Sequence, residues 1–276
     1  MHIMIVQETY DFLKNNYTEI FRNTTIERVV VGVYFTAVKL SSGFAGMGKT
    51  EIDSHCCNSY KHKRNFGDFS PGKINGQKII DLFEKAENTD VLNNVRLAVL
   101  NAVSSEIISR SNYNVIEDKD PIELIDLNHK KTICVVGAFQ SYINKIAATQ
   151  NNLFVLELNE NAFEENQKQF YVPAEKYAET FSKSDIIIIT GATLANNTLN
   201  TLLANIPERA QTILVGPSSS LIPDVLFRHK INIIGSTRIL DAEKMFTIIS
   251  EGGTGYHLFN TCAKKICILN DGFKKN

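Results

Sequence analysis

No stretch of this 276-residue chain approaches the roughly 20 apolar residues of a membrane-spanning helix, which argues against a helical membrane protein. It carries no surplus charge either: 29 Lys plus Arg stand against 30 Asp plus Glu. No net field therefore draws it to nucleic acid or to an anionic membrane. Cysteine is sparse, with five residues (56, 57, 134, 262 and 267) in an odd number and without regular spacing. Cys134 and Cys267 lie inside apolar runs, where a reduced thiol behaves as a small hydrophobe. A cytoplasmic location is expected, since thiols stay reduced there. The N-terminus lacks the basic-then-apolar order of a signal peptide. No repeat or low-complexity tract is present, and the length suits one large domain or two ordinary ones.

The second half supplies the strongest positive signal. Four apolar runs each stop at a small turn-forming residue: Thr132-Ile-Cys-Val-Val-Gly137, Asp185-Ile-Ile-Ile-Ile-Thr-Gly191, Gln211-Thr-Ile-Leu-Val-Gly-Pro217 and Ile231-Asn-Ile-Ile-Gly-Ser236. Continuous β-branched runs of this length suit strands buried on both faces, as in a mainly parallel sheet covered by helices. The segments between them, such as Ala192–Ile206 and Ile222–His229, have room for those helices. Ligands of open α/β sheets sit beyond the carboxyl ends of the strands, where these Gly, Thr and Ser residues fall.

The first half has a different rhythm. Gln7–Phe21 has helical spacing, Glu27–Tyr34 and Phe35–Leu40 are β-rich, and Ser41-Ser42-Gly43 is a turn that sends Phe44–Gly48 back as a third short strand. Helical patterns resume over Gln77–Ala86 and Val91–Ile108. Strands followed by helices predict an α+β unit. The boundary falls within Ser111–Lys131, where Asp120 and Pro121 open a short helix with a capping acid and a proline. The expected division is residues 1–127 and residues 128–276.

Two strings look like motifs. Gly43-Phe-Ala-Gly-Met-Gly-Lys49-Thr50 matches the phosphate-binding loop G-x-x-x-x-G-K-[ST] letter for letter. That loop needs a buried strand before it and a helix starting at the lysine. Here the following residues are mostly polar without a repeating apolar face, and the preceding segment is half a hairpin. A hairpin is expected, not a nucleotide loop. The second string is Asp53-x-His55-Cys56-Cys57 with His62 nearby. Thiolate and imidazole are the usual soft-metal ligands, so His55, Cys56 and Cys57 are candidate transition-metal ligands. Adjacent cysteines on an extended chain point to opposite sides, which leaves a loop with incidental thiols as the alternative.

At the strand ends, Gly137 is followed by Ala-Phe-Gln, so the glycines that let a dinucleotide pyrophosphate approach are missing. Glu157 nevertheless lies 20 residues beyond Gly137, where a ribose-binding acid falls. Thr190 and Gly191, with Ala192 and Thr193, and Gly216, Pro217 and Ser218 offer amides and hydroxyls at helix starts. Asn101, inside the apolar run Leu97–Val103, should be buried and so needs a partner. It is the first half's best polar contributor to a site. No paired nucleophile and base is legible, so no catalytic role is assigned.

The succession Val136-Gly137, Ile189-Thr190-Gly191-Ala192, Leu214-Val-Gly-Pro217-Ser-Ser-Ser-Leu221, Ile234-Gly235 and Asp241 with a late Gly-Gly resembles a heavy-metal-chelation family of uncharacterised prokaryotic proteins. In the first half Val31-Gly32, Gly46-Met-Gly48 and the Asn-Ala at 101–102 resemble it as well. The loop after Gly137 departs from the polar, His-containing loop expected there. The resemblance implies an N-terminal domain similar to the enolase N-terminal fold, joined to an atypical Rossmann-like domain. It also implies a metal or metal-bearing small molecule held in the interdomain cleft. The alternative is an enzyme using a nucleoside-type ligand, such as adenosylmethionine, in the Rossmann-like cleft. Partners are thus a small molecule or metal ion and not nucleic acid or membrane. A homo-oligomer is left open.

Overall fold

The computed structural model describes residues 4–52 and 66–270. His55, Cys56, Cys57 and His62 lie outside them. The chain forms a small antiparallel sheet and a large, mostly parallel one. The small sheet is β1 (Ile26–Val31), β2 (Phe35–Leu40) and β3 (Ala45–Lys49), in that order. The large sheet has eight strands: β4 (Asn114–Glu117), β5 (Thr132–Val136), β6 (Asn152–Glu157), β7 (Tyr171–Pro173), β8 (Ile186–Thr190), β9 (Gln211–Val215), β10 (Ile233–Ile239) and β11 (Ala263–Leu269). Their spatial order is β4-β11-β10-β9-β8-β5-β6-β7. The six strands from β10 to β7 run parallel, while β11 and β4 add antiparallel pairs at one edge.

The isoleucine run of β8 shows why this sheet needs continuous hydrophobicity. Ile187 and Ile189 enter one core with Cys134, Leu214, Ile234 and Ile268. Ile186 and Ile188 enter the other with Ile133, Val135, Ile213 and Cys267. Successive side chains point to opposite faces, so a strand covered on both faces has no position left for a polar residue.

The helices are α1 (Ile5–Asn16), α2 (Thr18–Asn23), α3 (Ile79–Glu84), α4 (Asp90–Arg110), α5 (Gln140–Ala147), α6 (Tyr177–Lys183), α7 (Ala192–Ala195), α8 (Leu199–Leu203), α9 (Pro223–Arg228), α10 (Ala242–Ser250) and α11 (Gly255–Thr261). The helical pattern over 7–21 is two helices, because Tyr17 adopts a non-helical φ of −131° between them. Likewise the segment 192–206 is broken at Asn197, whose φ is +60°. The strand β4, inside the polar stretch 111–131, escaped the sequence pattern. Its four residues carry too little alternation, and only pairing with β11 makes them a strand.

Helix α4 is the hinge of the packing. It is buried on most sides, and its buried apolar residues join the core that runs into the large sheet. On its other side lies β3. A Cβ on Gly46 would sit 2.3 Å from the Ala102 nitrogen and 2.4 Å from the Ala98 carbonyl oxygen. The Walker-like glycine therefore serves helix–strand contact, and the string forms a turn and strand paired with β2. The outer face of the small sheet is closed by the chain's end. Met245, Phe246 and Ile249 of α10 pack with Ala37, Ala45 and Met47. At the edge, Glu243 bonds Arg28 at 2.6 Å and Lys39 at 3.3 Å. The first and last parts of the sequence are thus interlocked.

Candidate functional site

The strand order reverses between β5 and β8, since β6 and β7 follow β5 on one side while β8, β9 and β10 lie on the other. At that switch point, beyond the carboxyl ends of the strands, ligands of open α/β sheets bind. A cavity of about 670 Å³ opens there, within the ~300–1,000 Å³ of small-molecule sites. Its floor is Val136 and Gly137 from β5, Leu156 and Glu157 from β6, and Thr190 from β8. Phe139, Leu158, Tyr177 and Leu202 give it apolar and aromatic walls. Thr193, Asn196, Thr198 and Thr201 add polar groups.

Parallel register brings the first two predicted residues together. Val136 pairs with Leu156, so Gly137 and Glu157 become neighbours. The Glu157 carboxylate accepts from the backbone N–H of Ala138 at 2.9 Å, Leu158 at 2.7 Å and Asn159 at 3.3 Å. It pins the loop after β5 to the tip of β6. Gly137 has φ +101°, and its N–H donates to the Leu156 carbonyl at 2.9 Å. A side chain is strained in that conformation, and one here would also press on Thr190 at 3.3 Å. The Thr190 hydroxyl accepts from the Ala192 N–H at 3.2 Å, and its carbonyl accepts from the Thr193 hydroxyl at 2.6 Å.

Gly216, Pro217, Ser218 and Asn101 belong to a different place. Ser218 is 2% exposed and Asn101 1%, and neither lines the large cavity. The Ser218 hydroxyl accepts from the Lys49 N–H at 2.7 Å. The Asn101 amide donates to the carbonyls of Met47 at 2.7 Å and Ser218 at 3.2 Å. The Ser219 hydroxyl bonds the carbonyls of Gly216 and Gly235 at 2.6 and 2.7 Å. These bonds fasten the tip of β9 to β3 and α4 and to the middle of β10. Gly191 lies between the two regions, its N–H donating to Val215 at 2.8 Å.

The sequence reading did not foresee Lys49 in this setting. It reaches the cavity from the small sheet, a partnership no local pattern announces. Its ammonium lies 3.5 Å from Glu51 and about half of its side chain is exposed. With Glu157 and Glu175 it makes the charged set of the lining. Glu175 follows the three-residue β7, too short a strand for its tip to be read from sequence.

Among the described residues no group of three or more His, Cys, Asp or Glu is arranged to hold a metal ion. Burial pushes the Cys267 thiol up to about 12 and raises Cys134 further still, so both stay protonated and unsuited to ligation. No helix among the described residues is long and apolar enough to cross a membrane.

Two family models match the chain, over residues 120–268 and 14–104, and both carry the description "Putative heavy-metal chelation". The chain belongs to this family. A crystal structure of a protein of unknown function from Pyrococcus horikoshii is 18% identical, with a TM-score of 0.74, covering 96% of this chain and 100% of that one. Another, from Desulfitobacterium hafniense, is 19% identical with a TM-score of 0.69, covering 96% and 98%. At these identities the likeness establishes the fold alone. An uncharacterised protein of Methanocaldococcus jannaschii is 27% identical over 188 residues, 67% of each chain.

Proposed function

We propose that the protein binds a small organic molecule of nucleoside type in the cleft between the small sheet and the parallel sheet. The observation that carries this reading is the cavity at the switch point, where Gly137, Glu157 and Thr190 meet. The order of the six parallel strands, 3-2-1-4-5-6 when counted from β5, is that of dinucleotide-binding sheets. It supports a Rossmann-like unit over 128–276. The hairpin sheet backed by α4 supports an enolase-N-terminal-like unit over 1–127. Glu157 ends the second strand of that order, the place of a ribose-binding acid, although it also ties down its own loop. Free buried thiols support a reducing, cytoplasmic setting. Gly216, Pro217, Ser218 and Asn101 enter this reading as the frame that holds Lys49 beside the cleft.

Thermal-shift and calorimetric titration with adenosine, adenine nucleotides and adenosylmethionine test this reading. Saturable binding that Thr201→Trp at the rim weakens is expected. Flat melting curves across the whole panel would overturn it.

The family description favours a second reading, direct heavy-metal chelation. The cavity's donors do not suit it: two carboxylates, one of them already accepting three N–H bonds, and a lysine. The chelation reading therefore rests on His55, Cys56 and Cys57. Elemental analysis of untagged protein, before and after incubation with zinc or copper, should find stoichiometric metal that Cys56→Ser with Cys57→Ser abolishes. Absence of metal under both conditions would remove it.

A further inference from the structure

We infer that the ligand of this cleft carries an anionic tail and that Lys49, from the small sheet, receives it; the inference rests on the nucleoside reading above. The cavity's charged side chains are not mixed along it but separated. At the β8 end, Lys49 lines the wall together with Thr190, Ala192 and Thr193. At the far end, Glu157 ends β6 and Glu175 follows β7. The intervening strands run β8, β5, β6, β7. Two inter-strand steps of ~4.8 Å set Glu157 about 10 Å from the β8 tip, and a third sets Glu175 about 14 Å from it. The middle is apolar, with Val136, Ala138 and Phe139.

A ligand matched to this layout is elongated. Its hydroxyl-bearing sugar faces Glu157, and a carboxylate or phosphate meets the ammonium of Lys49. The lysine is held for this purpose from behind. Its backbone N–H bonds the buried Ser218 hydroxyl, and Asn101 ties Met47 and Ser218 together beside it. Among the described residues its ammonium meets the half-exposed Glu51 at 3.5 Å, a pair that holds it weakly. The lysine of the Walker-like string would thus meet an anion after all, from a hairpin and not from a phosphate-wrapping loop.

Calorimetry on the full-length protein with adenosine, 5′-AMP, ADP, adenosylmethionine and adenosylhomocysteine, repeated on Lys49→Met, reads this out. In the natural protein at least one anionic member should bind more tightly than adenosine. Lys49→Met should weaken that member by about tenfold and adenosine by much less. Preference for the phosphate members or for the carboxylate members identifies the tail. Adenosine binding as tightly as every anionic member, or an affinity that Lys49→Met does not alter, would overturn the inference while leaving the nucleoside reading in place. Binding of no member overturns both. Because Lys49 is half-exposed, the variant's melting temperature, measured alongside, should match that of the natural protein.

Discussion

The tips of β5 and β8 and the tip of β9 look alike in sequence, each a β-branched run that halts at a small residue, whereas β10 runs on through Gly235 and Ser236 to Ile239. The similar tips serve opposite ends. The first group opens onto a cavity. The second is sealed, with Ser218 and Ser219 buried in bonds to Lys49, Gly216 and Gly235. What separates them is the small sheet and α4, which cover the second group and reach the first at its edge, through Lys49. A glycine-capped strand end therefore states where backbone is available, and the tertiary partner decides whether a ligand or another part of the chain uses it.

The comparison predicts that substitutions at the sealed tips and their cover change stability, whereas those at the open tips change binding. The largest effect belongs to Gly46→Val. Backbone atoms of α4 stand 2.3 and 2.4 Å from its Cβ and leave no flexible neighbour to yield. A loss of about 3 kcal/mol or more in urea unfolding, or failure to fold, is expected; a near-neutral result would break the packing argument. Asn101→Ala comes next. It strands two buried carbonyls and should cost about 2 kcal/mol without removing ligand binding, read by unfolding and calorimetry in parallel. Ser218→Ala leaves only the Lys49 N–H unpaired and should cost about 1 kcal/mol.

At the open tips Thr201→Trp should alter stability by less than about 0.5 kcal/mol while reducing affinity, the reverse of the preceding three. The smallest effect concerns the thiols. The folded Cys267 stays protonated up to about 12, against an ordinary value of 9.0. Its contribution to stability is thus complete below pH 9 and falls as pH rises through the interval to 12. Equilibrium unfolding at pH 8 and pH 10 should show the decline, and Cys267→Ala should lessen it, Cys134 contributing the rest.

Much of the fold was legible because its chemistry is local. Ile186–Ile189 announce a doubly covered strand, and Ser41–Gly43 a hairpin turn that disqualifies the Walker-like string. Asp120 and Pro121 mark the short helical turn at 121–123. The neighbourhood of Gly137 and Glu157 was also within reach, since their spacing fits one parallel crossover. The rest depends on long-range contact. Lys49 faces the cavity because β3 docks beside Ser218, 169 positions away in sequence. Asn101 was legible as a buried amide but not as a clasp on Ser218, since that depends on how α4 meets the tip of β9. The strand β4 exists only through β11.

Crystals soaked with 5′-AMP or adenosylmethionine give the most direct test of the division between the two sets of tips. Ligand density across Gly137, Glu157 and Thr190, with its anionic group beside Lys49 and the Gly216–Ser220 loop unchanged, is the predicted result. Density lodged at Gly216–Ser220, or a cavity that stays free of ligand at saturating concentration, would contradict the account.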